Sequence, residues 1–517
     1  MTSLRFFLTC SLFFCLACAR ERGSLVPAAD ELVVALEAAP VSLDPRIATD
    51  QSSARVFAAL LNGLATKDER GNPLPDLATW EVLDGGRRYR FHLKPGVRFH
   101  DGRRLTAADV VWTFRTMLDG TIVTSKRGAF PQVERVEAAG PAAVDFHLSE
   151  PFGAFPLELT TSMGILPAGT TPEAMNRRPI GTGPFRVVER TPERVVLKRF
   201  DGHFAGPPKL ERIVFKVVPD ATVRALELLK GSVQLVVNDL PPDLVPRFRA
   251  DRRYRVIEGP GATYSYLGIN LVDPLLRDVR VRRALALAID RERLVDSLWR
   301  GLGRVTETMI PHAHWAHHEG LPQVPHDPAA ARRLLDAAGH PDPDGDGPAP
   351  RFTLTYKTST NEPYILQGQA IQAMLAEVGI DLRVRSYEFA TFYEDVRKGN
   401  FQVFALLRLG VLDPHVYRLV LHSASLPPAG QNRGRYINAR FDQLIDQGAR
   451  LTEPAERRPY YLAAQEILAR DLPYISLYIR TNVAVMPTEL KGYRTYLNGE
   501  LLSLKDVWWE RPGPRPL

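Results

Sequence analysis

Cysteine is almost absent from this chain. Its 517 residues include three cysteines, and all of them (Cys10, Cys15 and Cys18) lie at the amino-terminal end. If the segment before Cys18 is removed on export, the mature chain keeps a single thiol. A disulfide framework, a cysteine-based metal site and a cysteine nucleophile are then excluded.

Long hydrophobic runs are also missing. No segment reaches about 18 uninterrupted apolar residues, the length typical of a membrane-spanning helix. Arg5 is followed by the shorter apolar run FFLTCSLFFCLA, which has the size of a signal-peptide core. We therefore predict a signal peptide over residues 1–17.

The end of this run suggests a lipid anchor. Leu16-Ala17-Cys18 is close to a bacterial lipobox, although Cys15 stands where that motif usually has leucine. We expect Cys18 to be lipidated, so that the protein is held at a membrane surface in the periplasm or cell envelope. Cleavage without lipid attachment is the alternative.

The net charge is basic, at +7, with a pI of about 9.2. The arginines are scattered along the chain and form no stripe, so no nucleic-acid partner is expected. The chain has neither an H-E-x-x-H helix nor a G-x-S-x-G elbow, and we do not expect an enzyme. Export argues against nucleic acid as well.

The stretch from Gly71 to Phe114 has the clearest local pattern. Tyr89, Phe91 and Leu93 alternate with polar residues, which predicts a half-buried strand. Thr106 precedes Ala107-Ala108-Asp109 and is a good N-cap, so a helix is predicted to start near Ala107. The polar groups of this stretch do not converge on one point, and no catalytic role is expected for it.

Several ordered motifs carry a family resemblance. They are P-x-LA-x-W and DGG-x-x-Y-x-F-x-L-x-x-GV-x-FHDG within 71–114, the GTGPF turn at 181–185, the block from Thr263 to Ile289, and Y-x-N-x-x-FD-x-L-I after Arg435. Together they resemble the extracytoplasmic solute-binding proteins of family 5, the peptide-, dipeptide- and nickel-binding components of ABC importers. The GTGPF turn lacks the Lys-Ser/Thr of a phosphate-binding loop.

The resemblance implies a fold and partners. The expected fold class is α/β, a two-lobed periplasmic-binding-protein fold (class II with an extra subdomain), with mixed sheets flanked by helices and a ligand cleft between the lobes. The implied partners are a small solute or short peptide and an ABC permease, the implied state is a monomer, and no cofactor is implied. Predicted boundaries are lobe I at 31–65, 183–268 and 485–511, the extra subdomain at 66–182, lobe II at 269–484, and a mobile tail at 512–517.

Candidate ligand-binding residues follow from the family alignment. Tyr264, Tyr266 and Asn270 lie where the chain is expected to pass between lobes, and tyrosines there suit a cleft because their rings offer rigid contact area. A core position is the open alternative for the two tyrosines. Aligning the segment before Asp413-Pro414 and the helix containing Gln372 adds the remaining candidates, which are Phe389, Arg408, Leu409, Gly410 and Asp413.

By this alignment, the chain lacks two charged residues with which peptide-binding relatives hold the ends of their ligand. Gly410 stands at the position of the aspartate that holds the peptide amine, and Thr358 stands at the position of an arginine that holds the carboxylate. A buried ammonium without a carboxylate is costly, so a free amine is disfavoured unless Asp413 or Glu388 substitutes. A peptide or peptide-like solute is favoured, and a less charged or anionic solute stays open.

Two segments could suggest metals. His312, His314, His317 and His318 are close in sequence, but their spacing fits no standard site. The run starting at Asp342 resembles the opening of a calcium loop without its closing glutamate. We expect no metal site. The functional alternatives are a non-transport sensor or chaperone-like surface lipoprotein and, further off, a metal-dependent hydrolase using the histidines.

Overall fold

The computed structural model describes residues 30–345, 347–428 and 430–510. The predicted signal peptide (1–17), the lipid anchor at Cys18 and the predicted tail (512–517) lie outside the described residues. None of the helices in the described part of the chain has the length and hydrophobicity needed to pass through a bilayer.

Strands and helices alternate along most of the described chain. The strands are β1 (Glu31–Leu36), β2 (Ala65–Lys67), β3 (Pro73–Pro75), β4 (Ala78–Leu83), β5 (Arg88–Leu93), β6 (Val133–Ala138), β7 (Ala143–Leu148), β8 (Phe185–Arg190), β9 (Arg194–Arg199), β10 (Arg212–Val217), β11 (Val236–Val237), β12 (Tyr254–Ile269), β13 (Gly303–Val305), β14 (Phe352–Ser359), β15 (Ile380–Tyr387), β16 (Val403–Arg408), β17 (Tyr474–Pro487), β18 (Leu490–Lys491) and β19 (Trp508–Trp509). The helices are α1 (Gln51–Leu60), α2 (Ala107–Leu118), α3 (Phe155–Glu158), α4 (Pro172–Arg177), α5 (Ala221–Lys230), α6 (Val245–Ala250), α7 (Val279–Ala288), α8 (Arg291–Trp299), α9 (Pro328–Ala337), α10 (Glu362–Ala376), α11 (Phe389–Lys398), α12 (Val416–Leu421), α13 (Ala439–Arg450) and α14 (Pro454–Asp471).

One sheet has the order β1-β10-β9-β8. β1 pairs in parallel with β10, and the other neighbours are antiparallel. Leu32, Val34 and Leu36 alternate along β1 and are buried in the same core cluster as Phe57 of α1. This helix begins where the carboxylate of Asp50 accepts a hydrogen bond from the Ser53 amide at 2.8 Å.

A second sheet, β4-β5-β7-β6, is antiparallel throughout. The predicted alternation is confirmed, because Tyr89, Phe91 and Leu93 are all buried in its core. The predicted helix start is also confirmed: α2 begins at Ala107 with a capping box formed by Thr106 and Asp109. Local periodicity and capping chemistry were sufficient for both predictions.

The largest sheet has the order β11-β17-β12-β16-β14-β15, with β13 also on β17. One core cluster, which includes Leu285 of α7 and Ile371 of α10, covers one face. Another cluster, which includes Tyr417 of α12 and Phe441 of α13, covers the other face. The sheet is therefore buried on both sides, with helices in both layers.

The sheets map onto different predicted units. β1, β8, β9 and β10 fall in the ranges predicted for lobe I, and β4 to β7 fall in the predicted extra subdomain. The long strands β12 and β17 run side by side across the predicted limits at 268 and 484, and their pairing is interrupted between Gly259 and Thr263. The domain boundaries themselves stay predictions.

Candidate functional site

A segment after β16 runs along the junction between the large sheet and the other two units. The Val411 amide donates to the carbonyl of Ala262 at 3.1 Å. A side chain added at Gly410 would come within 3.9 Å of the Asn498 side chain, and one added at Gly71 would meet Leu412 at 3.0 Å. Residues 409–413 therefore face the parts of the chain that the predicted boundaries assign to lobe I and the extra subdomain.

One edge of β16 has no strand partner at this junction. β16 pairs with β12 from Val403 to Arg408, but it pairs with β14 only at Val403 and Phe404. In the described part of the chain, the edge of residues 406–408 that faces away from β12 is therefore unpaired. These residues are half-buried, and Leu409 beyond them is 68% exposed.

Tyr264 and Tyr266 lie on β12, which pairs with the opposite edge of β16. They are 1% and 4% exposed, and their rings stack with centroids 5.2 Å apart. The Tyr264 hydroxyl shares a hydrogen bond of 2.7 Å with the Ser476 hydroxyl, and burial raises the pKa of both tyrosines. Their rings belong to the core cluster on one face of the large sheet.

Asn270 holds the end of β12 to the chain before β16. Its side-chain amide donates to the carbonyls of Phe401 at 2.9 Å and Gly399 at 3.4 Å. The side chain is buried, so these bonds satisfy a polar group that would otherwise be costly. Asn270 thus positions the strand that carries the junction segment.

Phe389 and Arg408 belong to an exposed aromatic and cationic surface. Phe389 is 54% exposed and stacks on Tyr393 at 5.6 Å. The guanidinium of Arg433 lies 4.5 Å from the Tyr393 ring and is hydrogen-bonded to its hydroxyl. Arg408 donates to the side chain of Gln431 at 2.9 Å.

An open groove of about 450 Å³ adjoins this surface. Four of its lining residues are cationic. Among the described residues, Glu394 is the one carboxylate in the lining, and it forms ion pairs with two of the four cations. Its lining residues are Tyr393, Glu394, Arg397, Lys398, Pro427, Pro428, Gly430, Gln431, Arg433 and Arg435. The groove therefore presents excess positive charge.

The two carboxylates suggested as amine partners are already engaged. Asp413 is bound by Arg457 through bonds of 2.7 and 2.8 Å, and it also accepts from the His415 amide at 2.7 Å. Burial alone would raise the pKa of Asp413, but Arg457 holds it below its ordinary value. Glu388 accepts from the amides of Ala390 and Thr391 and so caps α11.

A further carboxylate at the junction was not singled out from the sequence. Glu158 ends α3, and burial, together with the nearby carboxylate of Asp413, raises the pKa of Glu158 to about 7. Lys67 lies close enough to act on it electrostatically but donates its hydrogen bond, at 2.8 Å, to Glu500. No local pattern marks Glu158, because its neighbours at the junction are distant along the chain.

The histidine run is held by the backbone. The rings of His312 and His317 lie 4.6 Å apart, and His317 donates to the carbonyl of Ile310 at 2.9 Å. His314 donates through Nε2 to the carbonyl of Leu412 at 2.9 Å and accepts at Nδ1 from the Ala316 amide. Across residues 30–510, apart from 346 and 429, no three His, Cys, Asp or Glu residues are grouped to hold a metal ion.

Comparisons with known proteins agree with this architecture. A family model described as bacterial extracellular solute-binding proteins, family 5 Middle, matches residues 72–424. The chain is 30% identical over 503 residues to the probable di/tripeptide-binding protein 5 of Pseudomonas aeruginosa, covering 90% of this chain and 93% of that protein. It is 28% identical over 500 residues to the oligopeptide-binding protein AppA of Bacillus subtilis, covering 93% and 91%.

A solved structure gives the same result at the level of the fold. The structure of Bacillus subtilis AppA in complex with a nonapeptide matches with a TM-score of 0.76 and 27% identity, covering 93% of this chain and 99% of that one. The predicted two-lobed α/β fold class and the predicted family are confirmed, and an extracytoplasmic location follows. The chain belongs to family 5 of the bacterial extracellular solute-binding proteins.

Proposed function

We propose that this protein is an extracytoplasmic lipoprotein that binds a short peptide or peptide-like solute and delivers it to the permease of an ABC importer. It acts as a monomer by binding and release, without catalysis. The similarity to a di/tripeptide-binding protein and to AppA supports a peptide ligand. The predicted signal peptide and Cys18 support export and anchoring.

The free edge of β16 is the observation that carries the peptide ligand. An extended peptide can add to an unpaired strand edge through main-chain hydrogen bonds, while pockets on either side accept its side chains. The edge at residues 406–408 lies at the junction and is followed by the exposed side chain of Leu409, and Phe389 is exposed on α11. We include Arg408 and Gly410 in this site.

Tyr264, Tyr266, Asn270 and Asp413 have a supporting role in the proposed site. They are buried and hold β12, β16 and the segment after β16 in place. Rigid support beneath a binding edge lowers the entropy lost when a ligand binds. We propose that substitutions at these positions act on affinity through the shape of the edge.

Closure of the cleft completes the proposed mechanism. β12 and β17 pass together between the units, and their pairing breaks between Gly259 and Thr263. We place the hinge of the closing motion at this interruption, since hinges are formed by a few residues at the ends or breaks of regular elements. A ligand touching both sides favours the closed form, which the permease recognises.

The test is to identify what the protein carries. The full chain is expressed in a bacterial host, solubilised from membranes in mild detergent, and denatured so that released small molecules can be identified by mass spectrometry. A ladder of peptide masses is expected. A single non-peptide mass, or a protein that ignores a random library of tri- to pentapeptides, would overturn the peptide assignment.

The edge itself has a separate control. For a captured peptide, methylation of one central amide nitrogen removes one main-chain donor, and an affinity loss of about tenfold is expected if that amide pairs with β16. Equal affinity for every methylated position would contradict edge pairing. Cys18→Ala should abolish labelling of the protein by a fatty-acid analogue, and unchanged labelling would contradict the anchor.

One observation favours a second candidate ligand. The groove lined by Arg397, Lys398, Arg433 and Arg435 has excess positive charge, which suits an anionic solute. A single acidic mass in the denatured sample would select this candidate. Arg433→Gln would then weaken binding of that solute strongly.

A further inference from the structure

Three side chains near the junction carry acceptors that have no donor among the described residues. Glu158 has no hydrogen bond or ion pair with any described residue. Glu500 accepts from Lys67 through Oε1, but its Oε2 is buried and has no partner in the described part of the chain. The buried side-chain oxygen of Asn498 also lacks a donor among residues 30–510, with 346 and 429 set aside.

These acceptors lie in one part of the junction, near Lys67 and Gly410. Lys67 acts electrostatically on Glu158 and is bonded to Glu500, so both carboxylates lie near the same ammonium group. Asn498 is two residues before Glu500. Its Cβ atom lies 3.9 Å from the position that a Cβ atom would take at Gly410. The free acceptors therefore lie next to the junction segment.

The charges in this part of the junction do not balance. Lys67 is paired with Glu500, and Arg457 is paired with Asp413. Within the described part of the chain Glu158 forms no ion pair of its own, and the negative charge of Asp413 lies near it. Glu158 is half-buried, and a cation with several N–H donors would stabilise its charged form.

We propose that Glu158 binds the amino terminus of the ligand, with Oε2 of Glu500 and the Asn498 side chain accepting its remaining hydrogen bonds. The proposal deepens the peptide-binding function and rests on it. A protonated α-amine brings three N–H donors, which match the three acceptors that lack donors. The carboxylates of Asp413 and Glu388 are already hydrogen-bonded within the protein, and Glu158 supplies a carboxylate for the ammonium group in their place.

The proposal has a pH signature. Glu158 must be deprotonated to bind an ammonium, and its pKa is raised to about 7 by burial and Asp413. A peptide α-amine loses its own proton at about pH 8. Affinity should therefore rise between pH 5.5 and 7 and fall above about pH 8, and binding below pH 7 should release a proton.

Other charged groups near this part of the junction do not produce that signature. Lys67 and Arg457 are paired cations, and Asp413 has a lowered pKa. His314 and His415, which neighbour Asp413, have pKa values lowered to about 4, chiefly by burial, and stay neutral in this range. Glu158 is thus the group expected to titrate.

The experiment compares two peptide libraries. The full-length protein in detergent is equilibrated at pH 7.5 with a random tri- to pentapeptide library or with the same library N-acetylated, and retained peptides are quantified by mass spectrometry. The wild type, Glu158→Gln and the exposed-site control Glu292→Gln are measured in parallel. Melting temperatures establish that each variant is folded.

The outcomes separate the two proposals. We expect the wild type and Glu292→Gln to retain the free library at least about tenfold better than the acetylated one, and Glu158→Gln to lose that preference. Equal retention of both libraries by the wild type, or an unchanged preference in Glu158→Gln, overturns the role of Glu158 while peptide binding stands. A wild type that retains neither library overturns both proposals.

Discussion

The guanidinium of Arg457 binds the carboxylate of Asp413 in a bidentate pair, with Nη1 to Oδ2 at 2.8 Å and Nη2 to Oδ1 at 2.7 Å. The two side chains are 3% and 13% exposed. This pair joins α14 to the segment that follows β16. It therefore fixes the position of the junction at which we place the ligand.

Removing Arg457 should destabilise the protein strongly. Arg457→Met leaves Asp413 buried without its cation, and a loss of about 3–5 kcal/mol in the free energy of unfolding is expected. Urea denaturation followed by circular dichroism measures it. Arg194→Ala removes an exposed pair with Glu189 and should cost far less. Similar small losses in both variants would contradict the buried pair's importance.

Gly183 should not tolerate a side chain. A Cβ atom there would lie 2.3 Å from the carbonyl carbon of Leu60 and 2.6 Å from the Leu61 amide nitrogen, and both are backbone atoms. Gly183→Ala is therefore expected to cost at least about 1–3 kcal/mol through overpacking of α1 against the GTGPF turn. Gly128→Ala is the control, since nothing lies within 4 Å of its added Cβ. Equal melting temperatures for the two variants would contradict this prediction, because they would show that the backbone at Leu60 and Leu61 can move away from the added Cβ atom without loss of stability.

Asn482 should be essential to the crossing of β12 and β17. Its amide nitrogen donates to the carbonyls of Pro260, Tyr496 and Leu497 at 2.8, 2.8 and 3.0 Å. Asn482→Leu removes these bonds, two of which end on the carbonyls of the buried residues Tyr496 and Leu497, and a loss of at least about 2 kcal/mol is expected in urea denaturation.

Asn400 provides a matched control for Asn482. It is exposed, and its amide lies 3.5 Å from Asp395. Asn400→Ala should change stability by no more than about 0.5 kcal/mol. If Asn482→Leu were equally mild, the three carbonyls would have to be solvated in the folded protein.

Glu158 should make the ligand-free protein less stable as pH rises. Its folded pKa, about 7, is above the ordinary value of 4.5, so the folded state holds a proton that the unfolded state has lost between these values. Stability linked to this group is complete below pH 4.5 and declines as pH rises towards 7. Glu158→Gln does not titrate, so its melting temperature should rise relative to that of the wild type as the pH is raised from 5 to 7.5. A constant difference across that range would contradict the raised pKa.

The sequence by itself determined the features that depend on neighbouring residues. The alternation around Phe91 and the cap at Thr106 act over two or three positions, so the strand and the helix start could be predicted directly. The family motifs likewise led to the fold class, because they are ordered along the chain. These signals do not depend on which distant segments come together.

Only the tertiary structure decided the chemistry of the junction. That Asp413 is engaged depends on Arg457, 44 residues away. That Glu158 has no ion-pair partner among the described residues depends on how α3 meets the chain after β16. The alternation of Tyr264 and Tyr266 places both on one face of β12, but the helices packed there determine that this face is buried. Charge pairing and burial are set by contacts between segments distant in sequence, and such contacts exist only once the chain has folded.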